Sequence, residues 1–108
     1  MSLADRDCIP CQGGVPPLET AELQALRAKL PDWEVRGDHH LFRAYRFPDF
    51  QMALDFVNRV GAVAEQQGHH PDLMLAWGKV EVTIFTHTID SLTESDFVLA
   101  AKIERLYQ

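Results

Sequence analysis

The stretch EQQGHHPDLMLAWGKVEVTIFTH, residues 65–87, holds three of the chain's five histidines: His69, His70 and His87. Imidazole is the side chain whose ordinary titration lies nearest neutrality, so it can both give and take a proton there. Three imidazoles around one short segment suit acid–base chemistry, in which one ring protonates a leaving group while another removes a proton. They also suit a three-histidine zinc site with an open position. Against the metal stands local geometry: neighbours in an extended segment point apart, which hinders a tight tetrahedral set. A solvated loop followed by a hydrogen-bonded strand end is the third reading.

The elements that must position these rings follow from periodicity. Phe50, Ala53, Leu54, Val57, Val60, Gly61 and Ala64 keep a helical period, with Asp49 as N-cap after Pro48 and Gly68 as the residue that ends the helix. His69 and His70 therefore fall where a helix ends and a strand begins. Pro71 stiffens that junction by fixing its own φ and restricting His70. PDLMLAW and KVEVTIFTH form a hairpin expected to turn at Gly78-Lys79. Val80, Val82 and Ile84 point to one face, and Glu81, Thr83, Phe85 and His87 to the other. A register centred on that turn pairs a residue near 70 with one near 87, which would gather the three rings at one rim.

Upstream, Leu23, Leu26 and Leu30 make one stripe of a helix over Thr20–Leu30, stopped by Pro31. DWEV and HHLFRAYRF read as two strands about a Gly37-Asp38 turn. A last helix starts near Thr93, where TESD has a capping-box layout with Asp96 at the third position; Leu99, Ala100, Ile103, Leu106 and Tyr107 form its apolar face. The order α-β-β-α-β-β-α predicts an α+β fold: a four-stranded antiparallel sheet with helices on one face. The chain of 108 residues reads as a single domain, 1–108, with an irregular leader at 1–18.

Composition narrows the function classes. A net charge of −6 argues against direct nucleic-acid binding, which needs a basic face. The start MSLADRDCIP has no signal-peptide pattern, and no apolar run reaches the ~20 residues of a membrane span, so a cytoplasmic location is expected. Cys8 and Cys11 form a C-x-x-C without a second pair to complete a zinc site, and read as two reduced thiols in a mobile or loosely docked arm.

Other residues have plain readings. Taken alone, Asp96 is a helix cap and Glu65 a solvated side chain. His39 and His40, beside a turn, are read as surface residues, with His39 outside the site. Trp33 and Trp77 are read as core or half-buried packing.

The segments AEQQGHHPD, KVEVTIFTH and SLTESDFVLAAKIE closely resemble the pterin-4a-carbinolamine dehydratase family, over roughly residues 18–107. The resemblance implies a dehydratase that converts 4a-hydroxytetrahydropterin to quinonoid dihydropterin by histidine acid–base catalysis, in pterin recycling after aromatic amino-acid hydroxylation. It implies catalytic roles for His69, His70, His87 and Asp96, and a substrate-binding role for Glu65, Pro71 and Thr86. It implies no metal and no bound cofactor, and a homodimer or homotetramer. An aromatic residue common in the family after His-His-Pro is Leu73 here, and a common glycine is Ser91. The same fold in animals doubles as a cofactor of a transcription factor, so a non-enzymatic protein-binding module is the alternative reading.

Overall fold

The structure, a computed structural model, describes residues 2–8 and 17–107. The chain forms α1 (Thr20–Arg27), β1 (Glu34–Arg36), β2 (His40–Arg46), α2 (Phe50–Gln67), β3 (Asp72–Ala76), β4 (Lys79–Ile84) and α3 (Glu94–Tyr107). The strands make one antiparallel sheet in the order β1-β2-β4-β3. The expected α+β class and element order are present.

Local chemistry accounts for the boundaries. The last turn before Pro31 tightens: Lys29 and Leu30 donate to carbonyls three residues back, so α1 ends at Arg27 rather than Leu30. Asp49 caps α2 by accepting from the Met52 amide at 2.8 Å, and Gly68 ends it in the left-handed conformation at φ 63°. Gly37 and Asp38, at φ 58° and 53°, turn β1 into β2.

The core lies between one sheet face and the helices. Leu41, Tyr45, Val80, Val82 and Ile84 point inward from the sheet onto Phe56 and Val60 of α2 and Phe97, Leu99 and Ile103 of α3, all fully buried. Glu104 brings a charge to the edge of this layer. Its Oε1 accepts from Trp33 Nε1 at 2.9 Å and Tyr45 Oη at 2.6 Å, and Arg43 Nε lies 3.0 Å away as an ion pair, out of line for a hydrogen bond. Burial first, and then Glu104, push the Tyr45 phenol far above its ordinary range.

Three expectations are corrected. The β3–β4 turn is Trp77-Gly78, with Ala76 opposite Lys79. Extending that ladder puts position 70 opposite Phe85, not His87. Trp77, at the turn, is 71% exposed rather than packed, while Trp33 is buried as expected. The leader is not wholly irregular. Leu3–Asp5 form a 3-10 turn, and Leu3, Ala4 and Cys8 are buried with the core. Lys102 Nζ holds the Ala4 carbonyl at 2.8 Å, Arg105 pairs with Asp5, Arg6 pairs with Glu94, and the Cys8 amide donates to Gln67. Burial pushes the Cys8 thiol up to about 11. Cys11 lies outside the described residues.

Gly78 yields a direct test. Its φ is 68°, and a Cβ there would sit 2.9 Å from the Phe47 carbonyl oxygen, which itself accepts no freedom to move because Phe47 N–H is bonded to the Gly78 carbonyl at 2.9 Å. Gly78→Ala should therefore cost about 1–3 kcal/mol in urea unfolding. Asp49→Ala, which removes only a cap, should cost about 1 kcal/mol.

Candidate functional site

The first turn of α3 and the loop before it build the centre of the site. Thr86 and Ser91 form an isolated antiparallel bridge, so residues 87–90 make a closed loop that returns the chain to α3. Asp90 takes the left-handed conformation in this loop, at φ 51°. The turn's left-handed residue is thus Asp90, and position 91 carries serine without needing a glycine's freedom.

Asp96 is fully buried. Its Oδ2 accepts from the Thr93 amide at 2.8 Å, which closes half of the expected capping box. The same oxygen accepts from Thr86 Oγ1 at 2.8 Å. Because the Thr86 hydroxyl has one proton and gives it to Asp96, the Thr93 hydroxyl must donate to Thr86, 3.0 Å away. The other oxygen, Oδ1, faces His69 Nε2 at 2.5 Å. A buried carboxylate needs this degree of satisfaction, since an unpaired one costs several kcal/mol. It also fixes the ring: the proton belongs on Nε2, and Nδ1 remains as the nitrogen that can meet a substrate.

The other two imidazoles have partners of their own. His70 Nε2 lies 2.6 Å from Glu65 Oε2, one helical turn and a loop earlier. His87 Nε2 lies 3.8 Å from Asp72 Oδ1, and its ring lies tilted against Phe85 at 4.2 Å. Both of these pairs are exposed, whereas the His69 side chain is only 11% exposed. The three rings thus turn towards three different carboxylates. Among the described residues, no three histidine, cysteine, aspartate or glutamate side chains converge to hold a metal ion.

Sequence reasoning named His69, His70, His87, Asp96, Glu65, Pro71 and Thr86. The structure joins Thr86, Asp96 and His69 in one hydrogen-bonded chain, pairs Glu65 with His70, and leaves Pro71 half-buried between the rings and β3. Thr93 and Asp72 were missed as site residues. The signal for Asp72 was its place directly after His-His-Pro, but its meeting with His87 depends on the β3–β4 register. Leu73 pairs with Val82 and packs partly buried against the core. A cleft of about 540 Å³, lined by Leu3, Leu30, Trp33, Glu104 and Arg105 among others, lies apart from the histidines.

The α+β scaffold thus sets a buried threonine–aspartate–histidine chain beside two exposed histidine–carboxylate pairs. Residues 16–106 match the family model for pterin 4 alpha carbinolamine dehydratase, and the chain belongs to that family of dehydratases. A relative from Rubrobacter xylanophilus, provisionally named a pterin-4-alpha-carbinolamine dehydratase, is 61% identical over 104 residues, covering 96% of this chain and 97% of its own. One from Rickettsia bellii with the same provisional name is 54% identical over 106 residues, covering 97% and 94%. A crystal structure from Brucella melitensis, described as a transcriptional coactivator/pterin dehydratase, superposes with a TM-score of 0.80 at 30% identity, covering 86% of this chain and all of that one. A pterin dehydratase-like protein identified as a RuBisCO assembly factor shares the fold, with a TM-score of 0.61 at 23% identity over 70% of this chain and 89% of its own.

The contrast between buried and exposed pairs can be measured. Asp96→Asn leaves one buried donor or acceptor unmatched and should destabilise the fold by about 2–4 kcal/mol in urea unfolding. Glu65→Gln, on the surface, should change stability by less than about 0.5 kcal/mol.

Proposed function

We propose that this protein dehydrates a 4a-hydroxytetrahydropterin to the quinonoid dihydropterin. The observation that carries the reading is the His69–Asp96 pair, with the carboxylate locked by Thr86 and Thr93. Family membership supplies the substrate class.

The reaction breaks the bond from C4a to the hydroxyl, removes the proton from the neighbouring ring nitrogen and forms a C=N bond. Hydroxide leaves poorly from carbon, so an acid must deliver a proton to it. Asp96 keeps a proton on His69 Nε2, which suits Nδ1 to act as the base and lets Asp96 stabilise the imidazolium that results. An exposed ring, His70 or His87, is then the donor to the departing hydroxyl, and water is released. Each transfer is worth ~10²–10⁴-fold in rate. Glu65 and Pro71 stand on the substrate side, Glu65 through its bond to His70. Neither step requires a metal or a bound cofactor in this reading.

A soluble, cytoplasmic role in pterin recycling belongs to the same proposal. So does assembly into a homodimer or homotetramer, for which β1 and β3 offer the two open edges of the sheet. No helix among the described residues is long and apolar enough to cross a membrane. A protein-binding role is the second reading, favoured by the exposed Trp77 and Met74 on and beside the β3–β4 turn.

Chemically generated 4a-hydroxytetrahydropterin, followed by absorbance, tests the first reading. Turnover well above the buffer rate is expected, unchanged by chelator, and a rate equal to buffer would remove it in favour of the second. His70→Ala and His87→Ala should each lower the rate by about 10²-fold or more. Light scattering at micromolar concentration should report at least two chains per particle.

A further inference from the structure

His39 and His40, expected as surface residues, are joined to the loop that carries His87. His39 Nε2 lies 2.7 Å from Asp90 Oδ1, and its Nδ1 lies 3.1 Å from the Nδ1 of His40. The His39 ring packs 4.7 Å from Phe85, and Phe85 lies tilted against His87 at 4.2 Å. Four rings therefore run in a row from His40 through His39 and Phe85 to His87.

The protons can be placed. Only one hydrogen fits between two Nδ1 atoms in contact. His39 presents Nε2 to a carboxylate, which holds a proton there. The arrangement that satisfies both contacts has the His40 Nδ1–H donating to His39 Nδ1, and the His39 Nε2–H donating to Asp90. Both rings can then be neutral. In agreement, burial first, and then His39 and Arg36, hold the His40 imidazole below its ordinary value.

Asp90 is the residue of the 87–90 loop that adopts a left-handed backbone, a conformation that L side chains seldom take and that surrounding contacts must hold. Two loop amides make only long bonds, Ile89 to the Thr86 carbonyl and Asp90 to the His87 carbonyl, both at 3.3 Å. The short backbone bond lies at the loop's base, from the Thr86 amide to the Ser91 carbonyl at 2.9 Å. His39 grips the loop at Asp90 on one side and supports the ring beneath His87 on the other.

We propose that His39 is a positioning residue for His87, fixing the 87–90 loop through Asp90 and the His87 ring through Phe85. The importance of His87 rests on the dehydratase reading, but the positioning can be tested in the free protein without turnover. The experiment is amide hydrogen exchange together with NMR of the His87 ring in the full chain. In His39→Ala, exchange at Thr86, Ile89, Asp90 and Ser91 should quicken about two- to fivefold, as expected for loss of one exposed histidine–carboxylate bond, while β2 and β4 keep their protection. The His87 ring resonance should shift or broaden. His39→Gln, whose amide can donate to Asp90, should keep much of the protection lost in His39→Ala, and Asp90→Asn alone, which can still accept from His39 and suits the left-handed backbone, should keep most of it. In a double-mutant cycle, His39→Ala and Asp90→Ala should be strongly non-additive, and any backbone strain from the alanine at 90 cancels.

Unchanged exchange in the loop, an unmoved His87 resonance, or equal loss of protection across the whole sheet would each overturn the proposal. Where the dehydratase assay gives turnover, His39→Ala should lower kcat several-fold with KM nearly constant. Absence of turnover in the unaltered protein would count against the dehydratase reading alone, and the exchange result would still decide the role of His39.

Discussion

A single buried carboxylate organises the candidate site of this molecule. Asp96 is removed from water, so every lone pair it turns inward needs a donor. Those donors come from three places that are distant in sequence: the amide that starts α3, the hydroxyl that follows β4, and the ring that follows α2. The carboxylate thus ties the last helix, the central strand and the end of the long helix to one point. Breaking any of these bonds would leave a charge underpaired in a dry environment, which is far costlier than losing a surface contact. The residue that anchors the fold is also the one on which the proposed chemistry turns.

The sheet supplies the rest of the geometry. β4 lies in its middle, paired on both sides, and its buried side chains reach α2 and α3. Residues just beyond its end, Phe85 to His87, inherit that rigidity and deliver a buried threonine and an exposed histidine in succession. The opposite end of the same layer is closed by Glu104, which gathers Trp33, Tyr45 and Arg43 around one oxygen. α3 therefore has an acidic anchor near each end, one facing the histidines and one facing the aromatic cluster.

Local chemistry was the legible part of the sequence. Asp49 and Gly68 mark both ends of α2 because capping and left-handed termination depend on a few adjacent residues. The alternation of Val80, Val82 and Ile84 gave the buried face for the same reason. The exact pairing of β3 with β4 was not legible: whether Gly78 opens or closes a two-residue turn is settled by its positive φ and by its packing under Phe47. That small slip moved His87 away from position 70 and hid its meeting with Asp72. The hydroxyl chain from Thr93 to Asp96 was equally hidden, since it needs two threonines brought together across a loop. The contacts of His39 were hidden as well, because Asp90 and Phe85 lie about half a chain away.

The leader changes where the working unit begins. The stretch that matches the family starts at residue 16, yet Leu3, Ala4 and Cys8 lie buried against the core well before it. The segment runs along α3 as a strap, paired with Glu94 beside the helix start and with Lys102 and Arg105 near its end. Asp96 sits in the first turn of that helix, between the strap and the histidines. A chain trimmed to the matched stretch would keep every side chain of the candidate site and lose part of what holds the site's central helix in place. The stretch matched by the family model is thus shorter than the mechanical unit, while relatives that match 96–97% of the chain extend into the leader.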